Sequence, residues 1–208
     1  MNAEDQDERQ QLIDGGPAAV AALYERHRER LERIVTFRLD PRIRRRVDPG
    51  DILQEAWLEI ARRVSDYSGS TGVSVFVWMR QLTLQTLVDV QRRHFRNKRD
   101  VNREIRLGAG DGDQTSLSIA HFLVDQITSP SAVAVRAEEL QYLQQALNSM
   151  NETDREILAL RHFEQLSNNQ VAEILGLTAT AASNRYLRAA ARLGEILERR
   201  NSGPHKPA

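Results

Sequence analysis

The stretch "LSNNQVAEILGLTATAASNRYLRAAARL", Leu166 to Leu193, reads as two helices hinged at a glycine. Ser167 with Gln170 matches the S/T-x-x-E/Q capping box, in which side chain and backbone satisfy each other's orphan donors. The short helix it starts ends at Gly176, and a second starts after Thr178. Glycine permits the left-handed turn that lets two helices meet steeply, and Ala172 is small enough for the second to lie close. On that second helix Ala182, Tyr186, Ala189 and Leu193 fall at i, i+4, i+7 and i+11 and form a buried stripe. Thr180, Asn184 and Arg188 face away from it, flanked by Arg185 and Arg192. Arginine can bond guanine edges bidentately and asparagine can read adenine, so this exposed face suits a major groove. The bland alternative is a helical hairpin with a solvated arginine face. Ala172, the Gly176 turn and the near absence of acids on the second helix favour DNA.

Helical periodicity continues through nearly every patterned stretch, and strand-like runs are scarce apart from "GVSVFVW" at Gly72 to Trp78, so an all-α chain is expected. Asp48-Pro49-Gly50-Asp51 offers an N-cap, a proline at the first helical position and an acid at the third. Ser129-Pro130 repeats the first two features, and Thr153 with Glu156 suggests a second capping box. Between Leu107 and Ser131, "GAGDGDQTS" supplies glycines, acids and small polar residues that build no core, which places a flexible linker there. Within it "SIAHFLVDQI", Ser118 to Ile127, is apolar enough to read as a short helix packed on a domain. The expected organisation is an acidic tail over 1–16, a helical domain over 17–107, a linker over 108–131, a second helical domain over 132–200 and a disordered tail over 201–208.

Lys+Arg and Asp+Glu are equal at 29 each among 208 residues, so attraction to a polyanion must come from segregated charge. The first fourteen residues carry Glu4, Asp5, Asp7, Glu8 and Asp14 against Arg9, whereas Arg92 to Arg106 holds seven cations and two acids. There is no cysteine, which excludes disulfides, thiolate metal sites and cysteine nucleophiles. No run approaches the roughly 18 apolar residues of a membrane span, and a soluble cytoplasmic protein is expected.

The densest basic stretch, "VQRRHFRNKRD" from Val90 to Asp100, ends a helix whose Met79, Leu82, Leu87 and Val90 line one side. Trp78, Gln85, Asp89, Arg92 and Arg96 share a narrow arc beside them, next to Arg93. A ring that stacks on a base and cations that hold a backbone make a single-strand surface; a solvated helix end with Trp78 in the core is the rival. In "VDPGDILQEAWLEIARRV", Val47 to Val64, Ile52, Ala56 and Ile60 bury one side. Asp51, Gln54, Glu55 and Leu58 make a mixed polar and apolar surface typical of a docking helix. A metal on Asp48, Asp51 and Glu55 is disfavoured because capping explains the two aspartates, and the five histidines form no ligand spacing. No catalytic, metal or cofactor site is expected.

Together these segments resemble the small two-domain sigma factors of bacterial RNA polymerase, the extracytoplasmic-function (group 4) class of the sigma-70 family. "DILQEAWLEI" resembles region 2.2, which implies docking on the clamp helices of the polymerase β′ subunit. "FVWMRQLTLQTLVDVQRR" resembles regions 2.3 and 2.4, which implies opening and reading of the minus-ten element, with the stretch Asp66 to Phe76 as the loop that accepts a flipped base. "DREILALRHFEQLSNNQVAEILGLTATAASNRYLRAAARL" resembles region 4, which implies contact with the minus-thirty-five element through Thr180, Ser183, Asn184, Arg185 and Arg188. Gln85 stands where the family commonly has Asn, and Ala181-Ala182 and Ser183-Asn184 also depart from its usual recognition helix. The resemblance implies core polymerase and promoter DNA as partners, an anti-sigma factor as a further one, no membrane and no cofactor. A duplex-binding regulator that works without polymerase is the alternative; a metal-dependent nuclease and a structural adaptor are more distant ones.

Overall fold

The computed structural model describes residues 3–67, 73–96, 112–127 and 133–202. Among them every regular element is a helix, and the chain divides into two units, Met1–Leu107 and Gly108–Ala208.

The first unit contains α1 (Ala3–Arg38), α2 (Pro49–Arg62), α3 (Val64–Tyr67) and α4 (Val75–Arg96). Leu31, Ile34, Ile52, Ala56, Ile60, Phe76, Met79 and Leu87 bury their side chains where α1, α2 and α4 meet. The stretch expected as strand-like instead runs into α4, whose Val75, Phe76 and Met79 are buried at helical spacing. Asp48 caps α2 as expected, its carboxylate accepting from the Gly50 amide at 2.6 Å with Pro49 at the first position.

Residues 3–15 correct the expected tail. α1 breaks at Gly16, whose φ of 55° and ψ of −143° only glycine adopts readily, with Pro17 next. The arm before the break buries Asp5, Glu8 and Leu12. Glu8 sits 3.0 Å from His27 Nε2 and accepts from Arg26 at 3.3 Å. A polar, acid-rich helix is thus held by the contacts of the buried Glu8 carboxylate with His27 and Arg26 and by a few apolar contacts rather than by a broad apolar stripe.

The second unit contains α5 (Gly112–Ile127), α6 (Val133–Asn148), α7 (Glu152–Leu158), a π turn (Ala159–Phe163), α8 (Asn168–Leu175) and α9 (Ala179–Ser202). The expected linker over 108–131 is therefore corrected along α5, where Ile119, Ala120 and Val124 are buried and the Thr115 hydroxyl donates to Glu156 of α7 at 2.9 Å. The Ser118 to Ile127 stretch packs on its domain as read. α7 is capped by Asn151, which accepts from the Thr153 amide at 2.9 Å, so the expected Thr153 box gives way to a cap two residues earlier. Arg155, 8% exposed, donates through Nη1 to the carbonyls of Leu147, Asn148 and Met150 at 3.1, 3.1 and 2.6 Å and so satisfies the end of α6. Ser129-Pro130 and the tail from 203 lie outside the described residues.

Candidate nucleic-acid and docking surfaces

In the second unit the turn between α8 and α9 is built from local chemistry. Ser167 Oγ accepts from the Gln170 amide at 3.2 Å, and Gln170 Oε1 accepts from the Ser167 amide at 3.1 Å, completing the capping box. Gly176 has φ 63°, and the Leu177 and Gly176 amides return to the carbonyls of Ala172 and Glu173 at 2.8 and 3.4 Å, a Schellman closure. Thr178 Oγ1 then accepts from the Ala181 amide at 3.1 Å and starts α9, while Asn168 Nδ2 ties the head of α8 to the Ala179 carbonyl at 2.7 Å. Ala182, Ala189 and Ile196 of α9 are buried, and Tyr186 is half-buried with the Arg161 guanidinium 5.3 Å from its ring. Thr180, Ser183, Asn184, Leu187 and Arg188 are left on the open face.

In the first unit α2 and α4 flank a groove of about 390 Å³ lined by Glu55, Leu58, Arg62, Gln85, Asp89 and Arg93 among others. Arg93 of α4 donates to Glu55 of α2 at 2.5 Å across it. Arg63 donates to Gln85 at 3.5 Å, and Arg92 lies 3.9 Å from Asp89. Leu58 is 66% exposed on this polar surface. Trp78 is half-buried against the Tyr67 ring at 5.0 Å, and the Tyr67 hydroxyl donates to the Val73 carbonyl. Asp48 is engaged in its cap and Glu55 with Arg93, so two of the three carboxylates of the metal reading already have partners.

Residues 140–193, which hold α7, α8 and most of α6 and α9, match the family profile "Sigma-70, region 4". A probable RNA polymerase sigma factor, RfaY of Xanthomonas campestris pv. campestris, is 31% identical over 150 residues. The chain is thus similar to sigma-70 family proteins, over a region 4 domain at residues 140–193 and over the 150 residues aligned with that relative. That match covers 72% of this chain and 34% of the relative, so the chain spans about a third of the relative's length. Among solved structures, CnrH in complex with the cytosolic domain of CnrY is 20% identical with a TM-score of 0.50, covering 93% of this chain and 97% of that one. Sigma factor RpoE in complex with the anti-sigma factor NepR, from Bartonella quintana, is 16% identical with a TM-score of 0.43, covering 85% and 97%. Members of the sigma factor family are non-enzymatic regulators of transcription.

Within this chain, Asp51, Gln54, Glu55 and Leu58 all stand on the exposed side of α2, and Ile52, Ala56 and Ile60 on its buried side, the division expected from sequence. Gln85, Asp89, Arg92 and Arg93 are exposed on α4 beside Trp78. Arg96 ends α4 and its side chain lies outside the described residues, as do residues 68–72 of the stretch read as a base-accepting loop. On α9, Thr180, Ser183, Asn184 and Arg188 share the open face. Arg185 stands beside this face with its Nε 2.9 Å from Asp154 of α7, and both side chains are about one-third exposed. Leu187 was overlooked, although a large apolar residue in the middle of a polar face was visible as a break in the helical pattern. No described helix is long and apolar enough to cross a membrane.

Proposed function

We propose that this chain binds core RNA polymerase and directs it to promoters, with α2 docking on the β′ clamp helices, α4 holding the opened minus-ten strand and α9 reading the minus-thirty-five duplex. The observation that carries this is the α8–α9 pair within the region 4 match, whose open face presents Thr180, Ser183, Asn184 and Arg188. Arg188 suits guanine and Asn184 adenine, while Arg192 and Arg199 suit phosphates. Arg185 holds α9 at its angle through Asp154. The exposed Leu58 among Asp51, Gln54 and Glu55 supports a protein contact, since an apolar anchor ringed by polar groups is what docking surfaces use. Asp51, Gln54, Glu55 and Leu58 therefore form the proposed polymerase contact, and Trp78, Gln85, Asp89, Arg92, Arg93 and Arg96 the minus-ten contact. The proposed boundaries put the first domain at 17–107, with the arm before it, and the second from α5 to about residue 200.

The chain works in the cytoplasm and itself makes and breaks no bond; an anti-sigma factor is a further partner, a reading supported by the CnrH likeness, whose structure includes the cytosolic domain of CnrY. With 29 cations against 29 acids, the protein alone has little long-range pull on DNA, and polymerase supplies the rest. The experiment is reconstitution: purified chain with core polymerase should give transcripts from defined start sites on genomic templates. Tight duplex binding without polymerase, and no specific start with it, would instead establish the independent regulator.

A further inference from the structure

One large apolar side chain, Leu187, stands in the middle of α9's otherwise largely polar open face. Ala182, Ala189 and Ile196 point into the domain, and the opposite direction is shared by Thr180, Asn184, Leu187 and Ala191 at i, i+4, i+7 and i+11. Leu187 is 62% exposed there. A lone exposed leucine is unremarked on most surfaces, but its surroundings here are specific. Thr180, Ser183 and Ala191 are short, so the helix can lie close to a groove floor and Leu187 projects beyond them. Arg188 stands next to it, and Asn184 lies one turn before it. The apolar feature that a B-form major groove offers is the C5-methyl of thymine.

We infer that Leu187 is a specificity-determining residue that packs on a thymine methyl in the upstream promoter element, beside the base pairs met by Asn184 and Arg188. This rests on the reading of α9 as the duplex-reading helix and names part of what it reads. Exposed as it is, Leu187 contributes little to the fold, so Leu187→Ala should leave the domain intact.

The test uses holoenzyme reconstituted from core polymerase and the full chain, and a promoter duplex taken from a mapped start site. Each upstream thymine is replaced in turn by deoxyuridine, which removes the methyl alone. One or two replacements should weaken wild-type binding about three- to fourfold each, the value of one buried methyl. The same replacements should leave Leu187→Ala unaffected. If deoxyuridine acts identically on wild type and Leu187→Ala while Arg188→Ala still costs about tenfold, the inference is overturned and the DNA reading of α9 stands. If Arg188→Ala and Leu187→Ala both bind like wild type, the DNA reading itself fails. Weakened association of Leu187→Ala with core polymerase, with the methyl effect unchanged, would assign the residue to a protein contact and also overturn the inference.

Discussion

Arg155 and Arg185 show how a single cation can serve the fold while looking available to a ligand. Arg155 is buried, and its Nη1 group satisfies three carbonyls at the α6–α7 corner. Arg155→Ala should leave those carbonyls short of donors and destabilise the second unit by about 2–3 kcal/mol, read as a lower urea midpoint. Arg185 is about one-third exposed with Asp154 at 2.9 Å, a pair worth at most about 1 kcal/mol in stability. If the pair sets the angle of α9, Asp154→Ala should weaken promoter binding as Arg185→Ala does, whereas a loss confined to Arg185→Ala would mean that Arg185 meets the DNA itself. From the sequence these two roles were hard to separate, because the partner that occupies Arg185 stands on another helix. Asp48, Ser167 and Thr178 were easier, since each cap is satisfied within three residues.

Elements whose ends are set locally were legible, and elements held by distant partners were not. Gly176 had to be left-handed for α8 and α9 to meet, and its φ of 63° bears this out. No atom lies near the position a Cβ would take, so Gly176→Ala should cost about 1–2 kcal/mol from the backbone alone, visible as a lower melting temperature. The polar composition of residues 3–15 suggests a tail; the arm folds because Glu8 meets His27 and Arg26 from the far side of the Gly16 break. α5 is only partly legible for a related reason, as its first residues have linker composition and Thr115 gains its partner, Glu156, only in the fold. Burial raises the Glu8 pKa, but the hydrogen bonds and charges of His27 and then Arg26 outweigh it, leaving the carboxyl below its ordinary 4.5. Folding thus favours the ionised form. The stabilisation is complete above pH 4.5 and fades as pH falls through the lower folded value. Amide exchange over residues 3–15 should quicken on that acid limb in the wild type, and Glu8→Gln should show quick exchange already at neutral pH with a flatter acid response. An arm equally protected in both would mean that Glu8 does not hold it.

At the scale of the molecule, equal numbers of cations and acids are reconciled with DNA binding by where they sit: acids lead the chain, cations gather at the end of α4 and along α9. Each phosphate neutralised adds about 0.9 to the slope of log K against log salt, so holoenzyme–promoter binding should fall steeply with salt, and Arg92→Ala should reduce the slope by about one. The face of α2 proposed to dock on polymerase carries a different expectation. Leu58→Asp should weaken association with core polymerase while leaving the α9 face and the melting temperature unchanged, because Leu58 is already exposed. The most direct single measurement is start-site-specific transcription by core polymerase supplied with wild type, Leu58→Asp or Arg188→Ala. Defined starts with the wild type, lost in both variants and regained for Leu58→Asp at higher protein concentration, are the predicted result. Defined starts that persist undiminished in both variants, or none with the wild type on any genomic template, would contradict it.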